Sequence, residues 1–376
     1  MNKIQISSIN AVIVITIIII QMMSLYDISN SALDQISILV TFGLLCFMSI
    51  VNGRIFSYKT IFFVAWLNII SLLITTTFHK GIGSTIMMMN LLLMFFLFNN
   101  IFITQKMYKI IHLITIFFLT IYIFTLDLSN ILSTIIIDKL GNSFNSNMFA
   151  LFVLAVLLHF ICFVNQCKLP AKIKKIIVIP VFCLASYYII ISDSRTALAS
   201  ATIFLFLCIC KRKPFSNENT RKLAIMGILF SLIFPILYVM LFDNNINIEL
   251  LGKSLYSGRQ YVWKAAFDAI IDFPIFGSGN DILLPDVRDY TVSAHNTILG
   301  MIKMFGIIPT VSFVFFFAYT YKMKNINRDK ISEFAIISTL PCMFFESFYT
   351  NSHLYVLFAL FFLSFIKYDK QEKRIY

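Results

Sequence analysis

Residues 9–25 read INAVIVITIIIIQMMSL, without one charged side chain. A helix needs about 20 predominantly apolar residues to cross the hydrocarbon core of a bilayer, and this run with its flanks reaches that length. Gln21-Met22-Met23-Ser24-Leu25-Tyr26 has no small-residue cleavage pattern, so the segment is expected to remain as a first span, not a cleaved signal peptide. The same texture continues along the chain. Further apolar segments lie at 35–52, 60–77, 84–104, 107–125, 147–165, 173–191, 197–210, 223–242, 295–321, 333–350 and 353–367. Backbone polar groups inside lipid must be satisfied within their own segment, so each is expected to be helical. The composition agrees: of 376 residues 59% are hydrophobic and only 13% charged, with 41 Phe and a mean hydropathy of +0.86. Soluble domains run at roughly 45–50% apolar and about 25% charged. A soluble enzyme, a disordered chain and a disulfide scaffold are excluded. The expected fold class is an all-α polytopic membrane protein with about 12 transmembrane helices.

The net charge of +12 would suggest nucleic acid in a soluble protein. Its distribution says otherwise. Of the 30 basic residues, 22 fall on one set of ends and loops, from Lys3 through the clusters Lys168–Lys175 and Lys211–Lys222 to Arg374. The acidic residues lean the opposite way. This is the positive-inside bias, so both termini are expected in the cytoplasm and no nucleic acid is invoked. Eight basic residues remain on the outer side, among them Arg195, Arg259 and Arg288, where the bias disfavours them.

One loop is long. It divides the chain into spans one to nine (1–242), an outer loop (243–294), and spans ten to twelve with a cytoplasmic tail (295–376). Within the loop, apolar residues recur at 262, 266, 270 and 273 between Gly258 and Pro274, which predicts an amphipathic helix over 258–273, lying on the membrane surface or on the bundle. The seven cysteines lie in spans or a cytoplasmic loop and read as small buried hydrophobes. Neither a nucleotide-binding glycine motif nor a metal-ligand spacing occurs, so no cofactor and no metal are expected. His112 and His159 lie within spans without an evident partner, and Lys303 and Glu346 are the main charges inside spans.

Three outer segments hold polar groups out of keeping with their surroundings. Ser192-Asp193-Ser194-Arg195-Thr196-Ala197-Leu198-Ala199-Ser200 puts a cation at a helix mouth, ahead of small residues that let helices pack closely. Gly258-Arg259 opens the loop helix. Ser293-Ala294-His295-Asn296-Thr297 opens span ten. A guanidinium presents two parallel donors and never loses its charge, which suits a diphosphate. An imidazole can accept a proton near neutral pH. Taken singly, each residue has a plainer account: Arg195 snorkelling to headgroups, His295 capping a helix, Tyr261 and Trp263 as interface aromatics. Taken together, two cations and a base suit the attack of a hydroxyl on a carbon that carries a diphosphate leaving group.

The order of these motifs, SRTALA at 194–199, then Gly258-Arg259-Gln260-Tyr261-Val262-Trp263 with Pro274-Ile275-Phe276-Gly277-Ser278-Gly279, then His295-Asn296 and Gly306, resembles the bacterial O-antigen polymerase and O-antigen ligase family, the Wzy_C group. The chain departs from the family pattern in having Pro309 where a second glycine is common. The resemblance implies a GT-C-like membrane glycosyltransferase, in the bacterial inner membrane with its site on the periplasmic side, that uses neither nucleotide nor metal. Its donor would be a glycan on undecaprenyl diphosphate. Its acceptor would be another lipid-linked repeat unit for a polymerase, or lipid A core for a ligase. A chain-length regulator is a candidate partner. By the same resemblance Arg195 and Arg259 would hold the diphosphate, His295 would take the acceptor proton, and Asn296 would orient that His or a sugar. Arg288 is a further phosphate candidate, and Tyr261 and Trp263 are candidate sugar contacts. A lipid-linked oligosaccharide flippase is the competing class, but it calls for charges along several helices to line a transit cavity, and these spans are almost free of them.

Overall fold

The computed structural model describes residues 3–26, 31–52, 82–101, 103–125, 146–210, 217–243, 249–250, 253–254, 259–279, 282–283, 291–292, 294–322, 330–346, 357–358 and 360–361. Among the described residues eight helices precede the outer loop: α1 (Lys3–Tyr26), α2 (Ser31–Val51), α3 (Ile82–Asn100), α4 (Gln105–Thr125), α5 (Ser146–Gln166), α6 (Ala171–Ile191), α7 (Arg195–Ile209) and α8 (Asn217–Asp243). The loop holds α9 (Arg259–Asp272) and two minimal antiparallel ladders, β1 (Glu249–Leu250) with β2 (Lys253–Ser254) and β3 (Ile282–Leu283) with β4 (Thr291–Val292). Then follow α10 (Thr297–Phe305), α11 (Ile307–Lys322), α12 (Lys330–Ser338) and α13 (Leu340–Phe345). Among the described residues five helices, α1, α4, α5, α6 and α8, are long and apolar enough to cross a membrane, and α2 and α7 hold shorter apolar stretches. The chain is a helical membrane protein. The expected segment 60–77 and most of 353–367 lie outside the described residues.

Two expected spans are not continuous. Segment 295–321 breaks at Gly306, whose φ of +81° no helix can carry, into α10 and α11. Segment 333–350 breaks at Thr339, just before Pro341, and ends at Glu346 with extended backbone. Broken helices at membrane depth expose backbone groups, which is tolerated only where protein or a watered cavity receives them. The Gly306 break lies against the turn that follows the loop helix.

Burial inside a bilayer gives helices little hydrophobic reason to associate, so polar contacts between them matter more, at about 0.6–2 kcal/mol each. Asn10 and Asn52 exchange side-chain hydrogen bonds of 3.1 and 2.7 Å between α1 and the end of α2. Gln21 donates to Thr41 at 3.0 Å, and Asn90 on α3 donates to the Ile38 carbonyl at 2.9 Å. His112 on α4 and His159 on α5, without evident partners in the sequence, lie with their Nδ1 atoms 2.7 Å apart. His159 Nε2 meets the Leu357 carbonyl at 3.1 Å. Only an N–H can face a carbonyl, so His159 carries its proton on Nε2 and accepts at Nδ1, and His112 donates from Nδ1. The outward faces stay apolar: on α6, Ile176, Ile179, Leu184, Tyr187 and Ile190 are all exposed, as a lipid-facing helix requires.

A second, smaller core joins Tyr238 and Val239 of α8, Val262, Trp263 and Ala266 of α9, Ala294, and Leu299 of α10. The apolar face of the loop helix is therefore spent on the bundle, one of the two surfaces expected for it. This core is the floor beneath the candidate site.

Candidate functional site

The chain enters α7 through a tight turn. Asp193 has φ +53°, in the left-handed region, and Ser194 caps the helix by accepting from the Ala197 N–H at 3.5 Å. Arg195 is the first helical residue and is exposed. Behind it Ala197, Ser200 and Ala201 are buried, and Ser200 Oγ lies 3.0 Å from Cys342 Sγ on α13. The small residues let α7 and α13 approach closely, which brings the end of α13 to the mouth of α7.

Arg259 opens α9, and α9 is fastened at both ends. Near its start, Trp263 is fully buried against Tyr238 and donates from Nε1 to the Ala294 carbonyl at 2.7 Å. Past its end, the Pro274–Gly279 turn lies backbone to backbone on the end of α10. Ser278 N–H donates to Lys303 O at 2.7 Å, Gly279 N–H to Met304 O at 3.0 Å, and Ile307 N–H to Pro274 O at 3.2 Å. Gly277 (φ +72°) and Gly306 (φ +81°) face one another's strands there, and a Cβ on either would collide with Met304 or Ile275 backbone. The glycines of the turn are thus a clamp that holds α9 and α10 as one unit, and Pro309 leaves that clamp intact.

His295 stands immediately before α10 with φ +44°. Such backbone costs of order 1–3 kcal/mol and persists only where neighbours over-determine it. Here they do. Ala294 is held by Trp263. Asn296 caps α10 by accepting from the Leu299 N–H at 2.9 Å and donates from Nδ2 to the Ser231 carbonyl at 2.9 Å. That carbonyl is open because Pro235, four residues on, has no N–H to give it. With both flanks pinned, the His295 backbone is held in place at the mouth of α10.

The sequence-derived candidates fall into three groups. Arg259 and His295 converge on Glu346: Arg259 Nη2 lies 3.7 Å from Oε1, and His295 Nδ1 lies 3.8 Å from Oε2. Arg195 is close enough to Arg259 for their charges to interact. Burial pulls the Arg259 guanidinium down from its ordinary value, the carboxylate of Glu346 and then Tyr238 oppose this, and Arg195 adds to the lowering. A second group is committed to protein. Asn296 is buried with both ends of its amide engaged, and Trp263 has no face left for a sugar. Tyr261, 57% exposed, packs edge-on against Phe242 and keeps an open face. Arg288 lies outside the described residues.

In the sequence Glu346 stands out only as a charge inside a span. Its side chain is 12% exposed. Its carbonyl receives the Thr297 hydroxyl at 2.8 Å and its N–H reaches Cys342 O at 2.9 Å. A carboxylate in an apolar segment is a functional signal by itself; what the sequence lacked was the partner.

The arrangement can hold an anion at two permanent cations, with an imidazole and a carboxylate beside them. Comparison with known proteins adds one match: residues 180–314 fit the Wzy_C family model, described as O-Antigen ligase, which bears out the resemblance to the O-antigen polymerase and ligase family. The matched stretch contains Arg195, Arg259, Arg288 and His295 and ends before Glu346. No curated protein and no solved structure matches the chain.

Proposed function

We propose, taking the O-antigen ligase match over residues 180–314 as premise, that this chain is a membrane glycosyltransferase that moves a glycan from a lipid diphosphate to an acceptor hydroxyl. The observation that carries this reading is the gathering of Arg259 and His295 on Glu346, at 3.7 and 3.8 Å, with Arg195 in electrostatic range of Arg259. Arg195 and Arg259 hold the diphosphate of an undecaprenyl-linked donor and take up the leaving charge. His295 accepts the proton of the attacking hydroxyl. The bond from the anomeric carbon to the diphosphate breaks as the new glycosidic bond forms, so the anomeric configuration inverts. The outer face has no supply of nucleotide sugars, and a lipid-linked donor brings its own bond energy. Two guanidinium groups supply the charge stabilisation that a divalent ion gives elsewhere, so transfer is expected to persist in EDTA.

The frame we propose has twelve spans of GT-C-like arrangement in the bacterial inner membrane, both termini in the cytoplasm and residues 243–294 in the periplasm. A chain-length regulator is the partner this places in reach, and nucleic acid has no part. Polymerisation of repeat units is the first reading, because a divergent sequence suits an enzyme that recognises its own repeat. Ligation to lipid A core is the second, favoured by the description of the matched family.

A deletion strain separates them. Single repeats on the lipopolysaccharide core support the polymerase; bare core with accumulated lipid-linked polymer supports the ligase. Lipid-linked repeat units that fail to reach the outer leaflet would instead mark a flippase and overturn both.

A further inference from the structure

We propose that Glu346 is a positioning residue for the transfer: a resident anion between Arg259 and His295 that the donor's diphosphate displaces from the arginine and leaves paired with the histidine. This rests on the glycosyl-transfer reading above. Glu346 lies beyond the residues that match the family model, and the assignment comes from geometry alone.

The two contacts are nearly equal, 3.7 Å to Arg259 Nη2 and 3.8 Å to His295 Nδ1. Both are short enough for strong Coulomb attraction and too long for a hydrogen bond. Oε1 is buried and makes no hydrogen bond among the described residues. A buried carboxylate oxygen left so is costly, and the carboxylate is poised between two partners instead of satisfied by one. Its backbone cannot drift, being held through Thr297 and Cys342. Only the side chain can choose.

A diphosphate arriving at Arg195 and Arg259 competes directly with this carboxylate for the guanidinium. Once Arg259 is taken, the remaining cation-forming group beside Glu346 is His295. Glu346 after α13 faces His295, and the groups that act on Arg259 of α9 are Glu346, Tyr238 from α8 and Arg195 from α7, while Lys303 lies at the far end of α10 itself. Glu346 is the one carboxylate among them. Facing Nδ1, it favours the tautomer with the proton there, so Nε2 presents the lone pair. When the acceptor hydroxyl attacks, its proton passes to Nε2, its electron pair forms the new bond to the anomeric carbon, and the old bonding pair leaves with the diphosphate. The imidazolium then sits beside a carboxylate, which stabilises it. Donor binding and activation of the base are thereby one event.

The test uses the full chain in membranes, with lipid-diphosphate-linked repeat units extracted from a strain lacking it as donor. Transfer by the wild type tests the functional reading; its absence overturns that reading and not this one alone. With the wild type active, Glu346→Gln should lower kcat about 10- to 100-fold and leave donor KM unchanged or lower because the competing anion is gone. Glu346→Asp, which keeps the charge, should recover part of the turnover. A Gln variant that keeps its kcat overturns the proposal, and so does a tenfold rise in donor KM. Should the Gln variant not accumulate in the membrane, the Asp variant carries the same readout. Failure of both to accumulate makes Glu346 a determinant of folding and also overturns the assignment.

Discussion

A guanidinium at the mouth of a membrane helix can be there for lipid or for substrate, and the company Arg259 keeps supports the second. It is mostly buried, it faces a carboxylate, and it feels a second arginine. A headgroup anchor would face outward alone. Arg259→Ala is expected to abolish chain extension, a loss of about 10²-fold or more, while the protein still inserts; an unchanged glycan ladder would refute the role. Arg259→Lys should recover little, since an ammonium lacks the two-pronged fork. Asn296 belongs to another kind. Asn296→Ala removes the cap on α10 and orphans the Ser231 carbonyl at once, and should cost about 2–3 kcal/mol of stability, read as a lower melting temperature in detergent. At this scale the sequence made Arg195, Arg259 and His295 legible, because charge is out of place in an outer apolar setting. Asn296, expected to orient His295 or a sugar, and Trp263, expected to contact a sugar, are bound to protein instead, and a side chain's partner is a three-dimensional fact: only the fold brings the carbonyl freed by Pro235 to Asn296 and the Ala294 carbonyl to Trp263.

Between elements, the working unit is α9 with α10. Trp263 fastens them near Arg259 and His295 and the Gly277–Gly306 clamp fastens the other end, so α9 and α10 are tied at two separate points. Gly306→Ala meets both a positive φ and the Ile275 carbonyl. It should cost well over about 1 kcal/mol and reduce the amount of protein in the membrane, measured by quantitative immunoblot. The period of apolar residues announced α9 to within a residue at each end. The breaks at Gly306 and Thr339 were hidden inside continuous apolar runs, since hydropathy averages over a window and does not register a change of backbone direction.

For the whole molecule, topology is the property to test. Tyr261 is exposed on the loop helix and the cysteines lie away from the outer loop. Tyr261→Cys should therefore be labelled by a membrane-impermeant maleimide added outside intact spheroplasts, and a cysteine placed at the C-terminus should be labelled only after lysis. Reversed accessibility would overturn the orientation read from the basic residues.

Class and the candidate cations could be read from the sequence alone. Each depends on a sum over many residues or on a charge standing in an apolar run, and such signals need no coordinates. The convergence on Glu346, the left-handed turn at His295 and the glycine clamp needed the tertiary structure. These are short-range facts between residues up to dozens of positions apart, and hydrogen-bond and ion-pair energies fall away within a few ångströms, so only the packed bundle determines which groups meet.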